Sequence, residues 1–312
     1  MSKKVTLKNF PRAESDRYFN TFSRKAGGVD RFYHFKDFDA NNIVVRMNCD
    51  TLYSFAVIDT SKQVIVHKPD TGYRYCNMMV VDQDHYIVMC NDGEGNFVFE
   101  PKNTTRYLLV AFRILLKTRS KKEFKEVHAI QNELKITTTK SSDKFPVLPT
   151  WDMPSYELTK HKIGKFLTST FNSKGGAGKR GCVDTKKHLV ATLTGWGALP
   201  ERYAYYEIKI PAHNDGSVQY KLSVKDVPVE AFWSITIYDS DGMIQPNKGP
   251  FSLNCFTAKP DNGVYTINFT NDTSKKNRLA IYPGWNYTVR MYRPDKSILS
   301  GDWMFPEAVE TK

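Results

Sequence analysis

The sequence of 312 residues lacks the marks of several protein classes. No apolar run approaches the roughly 20 residues that a membrane-spanning helix needs. The N-terminus begins Met-Ser-Lys-Lys and continues with mixed polar residues, so it has no apolar signal-peptide segment. We therefore expect a soluble protein without a membrane span, either cytoplasmic or released by a non-classical route.

Cysteine is scarce, and its spacing excludes the common metal sites. The sequence holds 5 cysteines, none in a C-x-x-C pair around which a structural zinc site could form. We expect them to be reduced thiols within apolar strands, and we predict no metal site. They are Cys49, Cys76, Cys90, Cys182 and Cys255.

Signatures of nucleotide and hydrolase chemistry are also missing. The loop 173–181 is similar to a phosphate-binding loop, but Ser173 replaces its first glycine and Arg180 replaces its Ser or Thr. Neither H-E-x-x-H nor G-x-S-x-G occurs. The string Asp239–Gly242 resembles the start of a calcium loop, yet Pro250 occupies the twelfth position, where glutamate is needed. We therefore predict no bound cofactor.

Positive charge is what the sequence has in excess, with 45 Lys and Arg against 33 Asp and Glu and a net charge of +12. This surplus suits an anionic partner, such as an acidic polysaccharide or a nucleic acid. The basic residues are concentrated only at Arg119–Lys125 and Lys174–Arg180. Because no nucleic-acid motif accompanies them, we favour the acidic glycan.

Apolar and aromatic runs alternate with turn residues from residue 42 to 99, which indicates a sandwich or barrel of short strands. The longer apolar run Arg106–Leu116 fits a strand or a helix by periodicity, and we favour a strand. Ser120 and Glu123 then have the spacing of a capping box, which predicts a helix from Lys121 to Leu134. The strands predicted before this run are Ile43–Met47, Leu52–Ile58, Val64–Val66, Tyr75–Val81 and His85–Met89.

A segment rich in Thr, Ser, Lys and Pro, at residues 137–154, indicates a connector between domains. We predict a second helix over Ser155–Phe171, followed by a basic, glycine-rich loop that ends near Gly181. From there we expect strands to continue to the C-terminus. They are predicted at Tyr203–Ile210, Gln219–Val224, Phe232–Tyr238, Tyr265–Phe269 and Tyr287–Tyr292.

The predicted fold class is mainly β, with two tandem antiparallel β-sandwich or jelly-roll domains joined by a short helical connector. The predicted boundaries are an N-terminal extension at 1–40, a first sandwich at 41–136, a connector at 137–185 and a second sandwich at 186–312. The exposed edges of such sandwiches are compatible with a homo-oligomer.

Polar and aromatic residues cluster beside the predicted turns, and their chemistry suits sugars. Aromatic faces stack on sugar rings, Asn and Asp bind hydroxyls, and Arg pairs with a uronate carboxylate. The same residue types also occur in the ordinary core and rim of sandwiches. The catalytic candidates are Tyr53, Arg74, His85, Arg290 and Tyr292. The substrate-binding candidates are Asn48, Asp50, Asp82, Trp233, Tyr238, Asp239, Asn247, Trp285 and Tyr287.

Longer strings in these regions resemble a known pair of families. The N-terminal module known as domain of unknown function 1254 is similar to Asn48–Asp59, Pro69–Tyr75 and Val80–Tyr86. Its usual C-terminal partner, domain of unknown function 1214, is similar to Ala231–Asp239, Gly249–Asn254 and Pro283–Pro294. The resemblance implies two tandem β-sandwich or jelly-roll modules with a helical connector, and no settled reaction. Asn277–Ala280 departs from the expected Asn-Trp-Leu-Pro, and the connector is short for the family.

Two classes of function fit these observations. The first is an enzyme that acts on an acidic polysaccharide of the cell-wall uronate type, either a lyase or a glycoside hydrolase. A lyase needs a base and a group that neutralises the carboxylate, for which Arg74 or Arg290 is available. A hydrolase needs two facing carboxylates, and the sequence alone does not pair any. The second class is a non-catalytic structural or interaction module whose surface binds a glycan or another protein.

Overall fold

The computed structural model describes residues 2–37, 44–100, 104–139, 144–166 and 170–311. The chain forms two compact units. The first unit comprises residues 1–38, 51–166 and 176–197, and the second comprises residues 39–50, 167–175 and 198–312. The segment 44–50 therefore belongs to the second unit, although it precedes most of the first in sequence.

Most elements are strands, and helices occur singly before, between and after groups of strands. The elements up to residue 195 are α1 (Phe10–Lys25), β1 (Tyr33–His34), β2 (Thr51–Asp59), β3 (Val64–Lys68), β4 (Cys76–Asp82), β5 (Ile87–Asn91), β6 (Gly95–Phe99), β7 (Tyr107–Leu115), α2 (Lys121–Glu133), β8 (Lys135–Thr138), α3 (Met153–Gly164), β9 (Thr170–Asn172) and α4 (Thr185–Gly195). The remaining elements are β10 (Ala204–Lys209), β11 (Tyr220–Val224), β12 (Val229–Tyr238), a short 3-10 helix (Pro246–Lys248), β13 (Ser252–Asn254), β14 (Tyr265–Phe269), β15 (Arg278–Leu279), β16 (Asn286–Pro294), α5 (Lys296–Ser300) and β17 (Val309–Glu310).

The first unit is a sandwich of two antiparallel sheets with an added layer of helices. The five-stranded sheet β1-β2-β7-β4-β5 and the three-stranded sheet β6-β3-β8 share an apolar core that includes Val66, Met78 and Val110. On its other face the larger sheet contacts α1, where the rings of Phe22 and Phe55 stack at 4.0 Å. Strands β2, β4 and β7 are therefore buried on both faces.

The second unit is also a sandwich. The sheet β13-β12-β16-β10-β9 packs against the sheet β15-β14-β11-β17, and apolar side chains such as Ile235, Ile267 and Val289 fill the space between them. All pairings are antiparallel except that the two-residue strand β15 runs parallel to β14. The predicted mainly β class with sandwich architecture is therefore confirmed. The jelly-roll connectivity stays a prediction.

Several local predictions are confirmed. The ambiguous run at residues 106–116 is strand β7, fully buried on both faces, which explains why it lacks alternation. Helix α2 begins after Ser120, whose side chain accepts a hydrogen bond from the Glu123 backbone N–H at 3.3 Å. The Glu123 carboxylate does not complete the capping box, because it accepts from the Lys117 backbone N–H and from Arg74.

Other local predictions are wrong. The strand expected at 43–47 is absent from described residues 44–47, which form a bend and a turn, with Arg46 at a φ of 50°; Ile43 lies outside the described residues. Strand β5 begins at Ile87 rather than at His85, which occupies a turn at a φ of 66°. These left-handed conformations interrupt an extended strand.

The helix content was underestimated. The helix predicted at Ser155–Phe171 is α3, which begins earlier because Asp152 caps it by accepting from the Ser155 N–H at 3.0 Å. Residues 170–172 form strand β9 instead. Strands were expected throughout the region after Gly181, but Asp184 caps α4 there and Asp295 caps α5.

Candidate functional site

The five-stranded sheet of the second unit has one apolar face and one polar face. Side chains alternate along a strand, so those of Tyr287, Val289 and Met291 on β16 enter the core. The opposite face, which we call the polar face, carries hydroxyl, amide and guanidinium groups that are at most 3% exposed. Its members on β12 and β16 are Ser234, Thr236, Tyr238, Asn286, Thr288, Arg290 and Tyr292.

The segment 44–50 contacts the polar face through hydrogen bonds. The Tyr238 hydroxyl donates to the Met47 carbonyl at 2.8 Å, and Arg290 Nη2 donates to the Arg46 carbonyl at 2.7 Å. Asn48 Nδ2 donates to the Tyr292 hydroxyl at 2.5 Å. The backbone N–H of Arg46 also donates to the Gly242 carbonyl at 2.8 Å. These bonds hold the segment in place without a strand ladder.

Arg290 lies at the centre of this cluster and is 3% exposed. Its Nη1 donates to Thr236 Oγ1 at 3.2 Å, and its Nη2 also donates to the Tyr238 hydroxyl at 2.5 Å. Burial raises the pKa of the Tyr238 phenol, so this group stays a neutral hydroxyl that can both donate and accept. The guanidinium is thus bound by neutral oxygens at every contact described above.

A second guanidinium, that of Arg46, lies beside the first. Its Nη1 donates to Asn286 Oδ1 at 2.5 Å, and its Cζ lies 5.3 Å from the centre of the Tyr238 ring. Burial, first, and repulsion from Arg290 lower the pKa of Arg46 to about 10, although attraction from Tyr238 and Asp239 opposes this shift. The buried Nε of Arg46 has no hydrogen-bond partner among the described residues. The positive charge at this position is therefore incompletely compensated.

A carboxylate and a serine complete the cluster. Asn254 Nδ2 donates to Asp50 Oδ1 at 3.1 Å, and the Asp50 N–H donates to Asn48 Oδ1 at 2.7 Å. Ser234 lies directly opposite both Arg290 and Asn254 in the strand register. It is fully buried, and its hydroxyl has no hydrogen-bond partner within the described part of the chain.

Five predicted site residues therefore meet in one place. They are Asn48, Asp50, Tyr238, Arg290 and Tyr292.

The other predicted residues of the second unit lie elsewhere. Trp233, Trp285 and Tyr287 point into the apolar core, where the Trp285 and Phe269 rings stack at 5.3 Å. Asp239 closes a turn by accepting from the Met243 N–H at 2.8 Å. Asn247 is exposed in the short 3-10 helix. Alternation in the sequence alone could have predicted that the two tryptophans point away from the polar face. Each lies an even number of positions from neighbouring residues that point into the core.

The predicted residues of the first unit do not form one cluster. Arg74 pairs with Glu123 at 2.8 Å and also with Glu126, and these ion pairs join the bend before β4 to α2. Asp82 accepts from Arg180 Nη2 at 2.6 Å and from the Tyr86 N–H at 2.9 Å. The Tyr53 ring packs parallel to that of Phe55, with centroids 5.1 Å apart. Each of these side chains contacts other protein groups, and its role at a site stays a prediction.

The hydrogen bonds of His85 assign a neutral imidazole. The Thr192 hydroxyl donates to the His188 carbonyl at 2.8 Å, so it must accept from His85 Nδ1, which lies 2.7 Å away. His85 Nε2 accepts from the Gly197 N–H at 2.8 Å. Burial and the nearby His188 hold the pKa of His85 well below its usual value. Both ring nitrogens are therefore occupied by protein partners.

Several residues of the cluster were missed in the sequence. Ser234 and Thr236 stand in the string Ala231–Asp239, where polar and apolar residues alternate, and this alternation is a detectable signal. Arg46 was assigned to a strand, and Asn254 and Asn286 were not selected. Nothing in the local sequence indicates that these three residues meet. No group of three or more His, Cys, Asp or Glu residues suited to a metal ion occurs in the described ranges.

Two segments of the chain match models of known families. Residues 29–138 match the family described as "Protein of unknown function (DUF1254)", and residues 209–296 match "Protein of unknown function (DUF1214)". The chain carries a DUF1254 segment followed by a DUF1214 segment. The polar cluster draws on both, because Arg46, Asn48 and Asp50 lie in the DUF1254 segment and Arg290 lies in the DUF1214 segment. A search of curated proteins finds no match.

Two solved structures share the architecture. The crystal structure of the VPA0106 protein from Vibrio parahaemolyticus is 18% identical and covers 98% of both chains, with a TM-score of 0.70. An uncharacterised protein from Burkholderia cenocepacia is 13% identical and covers 97% of this chain and 87% of that chain, with a TM-score of 0.53. At these identities the likeness concerns the fold alone. Within the described residues, no helix has the length and apolar character needed to cross a bilayer.

Proposed function

We propose that this protein binds a small acidic sugar of the uronate type at the polar face of the second unit. The observation that carries the proposal is the pair of guanidinium groups beside the Tyr238 ring, those of buried Arg290 and half-buried Arg46, of which Arg46 has a buried Nε–H without a partner among the described residues. A ligand carboxylate that accepted from this N–H would satisfy the donor and compensate the charge.

The surrounding groups suit the hydroxyls of a sugar. Ser234 has a free buried hydroxyl in the described part of the chain, and Tyr238 carries a neutral phenol. Hydroxyl and amide side chains that both donate and accept match sugar hydroxyls, which do the same. The combination of these groups with two guanidiniums favours a uronate over a neutral sugar or a simple carboxylate.

The burial of the cluster favours one sugar unit over a long chain. Arg290, Tyr238 and Ser234 are at most 3% exposed, so the interior of a polymer could not lie across them. A free uronate or the terminal unit of an acidic glycan is the better match. Entry of the ligand would require the segment 44–50 to move, because its backbone accepts hydrogen bonds from Tyr238 and Arg290.

The candidate proton-transfer groups favour binding over catalysis. The Tyr292 hydroxyl accepts from Asn48, and both nitrogens of His85 have protein partners. A general base must have an available lone pair within reach of the substrate proton. We therefore give the binding role precedence over the lyase or hydrolase role.

A thermal-shift experiment tests the proposal, because a ligand that binds only the folded state raises its melting temperature. We expect galacturonate or glucuronate to stabilise the protein, and galactose, glucose and acetate to have little effect. At a ligand concentration of 100 times Kd, the added stability is about 2.7 kcal/mol. Equal shifts with the neutral sugars, or none with the uronates, would contradict the proposal.

Substitutions in the polar face test whether the uronate binds there. Arg46→Gln should abolish the uronate shift, whereas Arg202→Gln, which changes an exposed arginine stacked on Tyr203, should retain it. Ser234→Ala should preserve the stability of the unliganded protein, because it removes an unpartnered buried hydroxyl. It should nevertheless weaken the uronate shift. Retention of the full shift in both Arg46→Gln and Ser234→Ala would indicate that the uronate binds outside the polar face.

A further inference from the structure

A shallow depression that is open to solvent, which we call the groove, runs along one side of helix α2 in the first unit. It has a volume of about 570 Å³. Its lining residues recur every three to four positions, so they form one stripe over three turns of helix. They are Lys121, Phe124, Lys125, His128, Ala129 and Asn132.

The stripe combines apolar surface with positive charge. Phe124 is partly buried against the first-unit core, and its ring lies 6.1 Å from that of His128. Lys121, Lys125 and Ala129 are exposed. Lysine stems add apolar contact area while their ammonium groups stay in water. The stripe can therefore contact an apolar residue and an acidic residue at the same time.

The two glutamates closest in sequence to Lys121 and Lys125 do not neutralise these lysines. Glu123 and Glu126 both pair with Arg74, which lies in the bend before β4. Neither Lys121 nor Lys125 forms an ion pair within the described residues. Within the basic run Arg119–Lys125, the only glutamate, Glu123, is therefore paired with Arg74, whereas Lys121 and Lys125 form no ion pair among the described residues.

We propose that this groove binds an acidic amphipathic helix of a partner protein. The stripe from Lys121 to Asn132 extends about 16 Å along the helix axis, which matches roughly three turns of a second helix. Side chains at three- and four-residue spacing form the ridges and grooves by which two helices pack. Glutamates on the partner would pair with the lysines, while its apolar residues would contact Phe124 and Ala129.

Fluorescence anisotropy with labelled peptides of about 14 residues tests this proposal on the full chain. The first probe has Leu at helix-face spacing flanked by Glu. The second has the same composition in scrambled order, and the third has Lys in place of Glu. We expect the first probe to bind, and both others to bind at least about tenfold more weakly.

Matched charge reversals locate the binding. The double variant Lys121→Glu/Lys125→Glu should weaken binding of the first probe by about tenfold or more. Lys122→Glu/Lys135→Glu makes the same change in net charge outside the groove and should alter binding by less than about twofold. Ala129→Trp, at an exposed helix position, should block the groove by its size. Circular dichroism confirms that each variant is folded.

Three results would overturn the proposal. The first is equal binding of the ordered and scrambled peptides, which would indicate charge attraction without helix packing. The second is an equal loss in the two double variants. The third is that no peptide binds, whereas anionic phospholipid vesicles or a single-stranded oligonucleotide do bind and Lys121→Glu/Lys125→Glu abolishes that binding. The groove would then bind a different kind of partner.

Discussion

The buried imidazole of His85 should make the stability of this protein fall as the pH is lowered. His85 is 1% exposed and packs between the rings of His188 and Trp196, each at 5.3 Å. Its Nε2 accepts from the Gly197 N–H, so a proton added there would oppose an existing donor. Burial, first, and the neighbouring His188, second, lower the pKa of His85 well below its usual value.

The sign and size of the effect follow from proton linkage. An unfolded histidine binds a proton below pH 6.5, whereas folded His85 stays neutral, so the unfolded state gains protons as the pH falls. His85 therefore does not reduce the free energy of unfolding well above pH 6.5, and it reduces this free energy progressively as the pH falls below 6.5. As long as the folded imidazole remains neutral, this one group removes about 2 kcal/mol of stability between pH 7.5 and pH 5.

The assay compares the wild type with His85→Asn in urea unfolding at several pH values. Asn tolerates the left-handed backbone at this position, where φ is 66°, and its amide can replace the Nδ1 donor to Thr192. The variant should be less stable at pH 7.5, because the Gly197 N–H loses its acceptor. Its stability should then fall by about 2 kcal/mol less than that of the wild type on acidification to pH 5. Parallel curves for the two proteins would refute the reasoning.

Three further predictions, two of them with a matched control variant, test other parts of the fold by the same unfolding measurement. Gly242→Ala should cost about 1–3 kcal/mol, because φ is +77° and the new Cβ would lie 2.7 Å from Val45 Cγ2. Gly263→Ala, at φ +79°, should cost less, because its Cβ would make only an ordinary contact with Lys225 Cε at 3.6 Å. Equal losses in the two variants would contradict the close packing of the segment 44–50. Asp184→Ala should cost about 1 kcal/mol by removing the cap of α4, while Asp184→Asn retains most of it. Ile267→Ala, at a fully buried core position, should cost about 2–5 kcal/mol, and a loss below 1 kcal/mol would place Ile267 outside the core.

The strands of both sandwiches could be predicted because their signals are local. Strand β7 is a continuous apolar run, and the turns at Asp215–Gly216 and Asp241–Gly242 separate alternating segments. Helix α2 has a cap at Ser120 and apolar residues at helical spacing. These features depend on neighbours in sequence, so a single sequence displays them.

The helical layer of the first unit was harder to predict. Helix α1 buries Glu14, Ser15 and Asp16 along with its aromatic residues, which obscures its apolar stripe. Glu14 is satisfied by the Tyr156 hydroxyl on α3, and Asp16 by Gln83. Such long-range partners cannot be inferred from the spacing of residues within one helix.

The sequence allowed the residue types of the candidate site to be predicted, but not which of these residues meet in the fold. Tyrosine, asparagine and arginine beside turns indicated polar chemistry, and five of the selected residues do meet. The left-handed backbone of Arg46 and its hydrogen bond to Gly242 bring the segment 44–50 to strands β12 and β16. This contact joins residues almost 200 positions apart, and no local pattern encodes it.

The most direct test of the account is a crystal structure of the protein with galacturonate. We predict that the sugar occupies the polar face, with its carboxylate about 2.7–2.9 Å from Arg46 Nε and a hydroxyl within hydrogen-bond distance of Ser234 Oγ. The segment 44–50 should shift to admit it. Galacturonate bound elsewhere, or a polar face unchanged at saturating ligand, would contradict the proposed function.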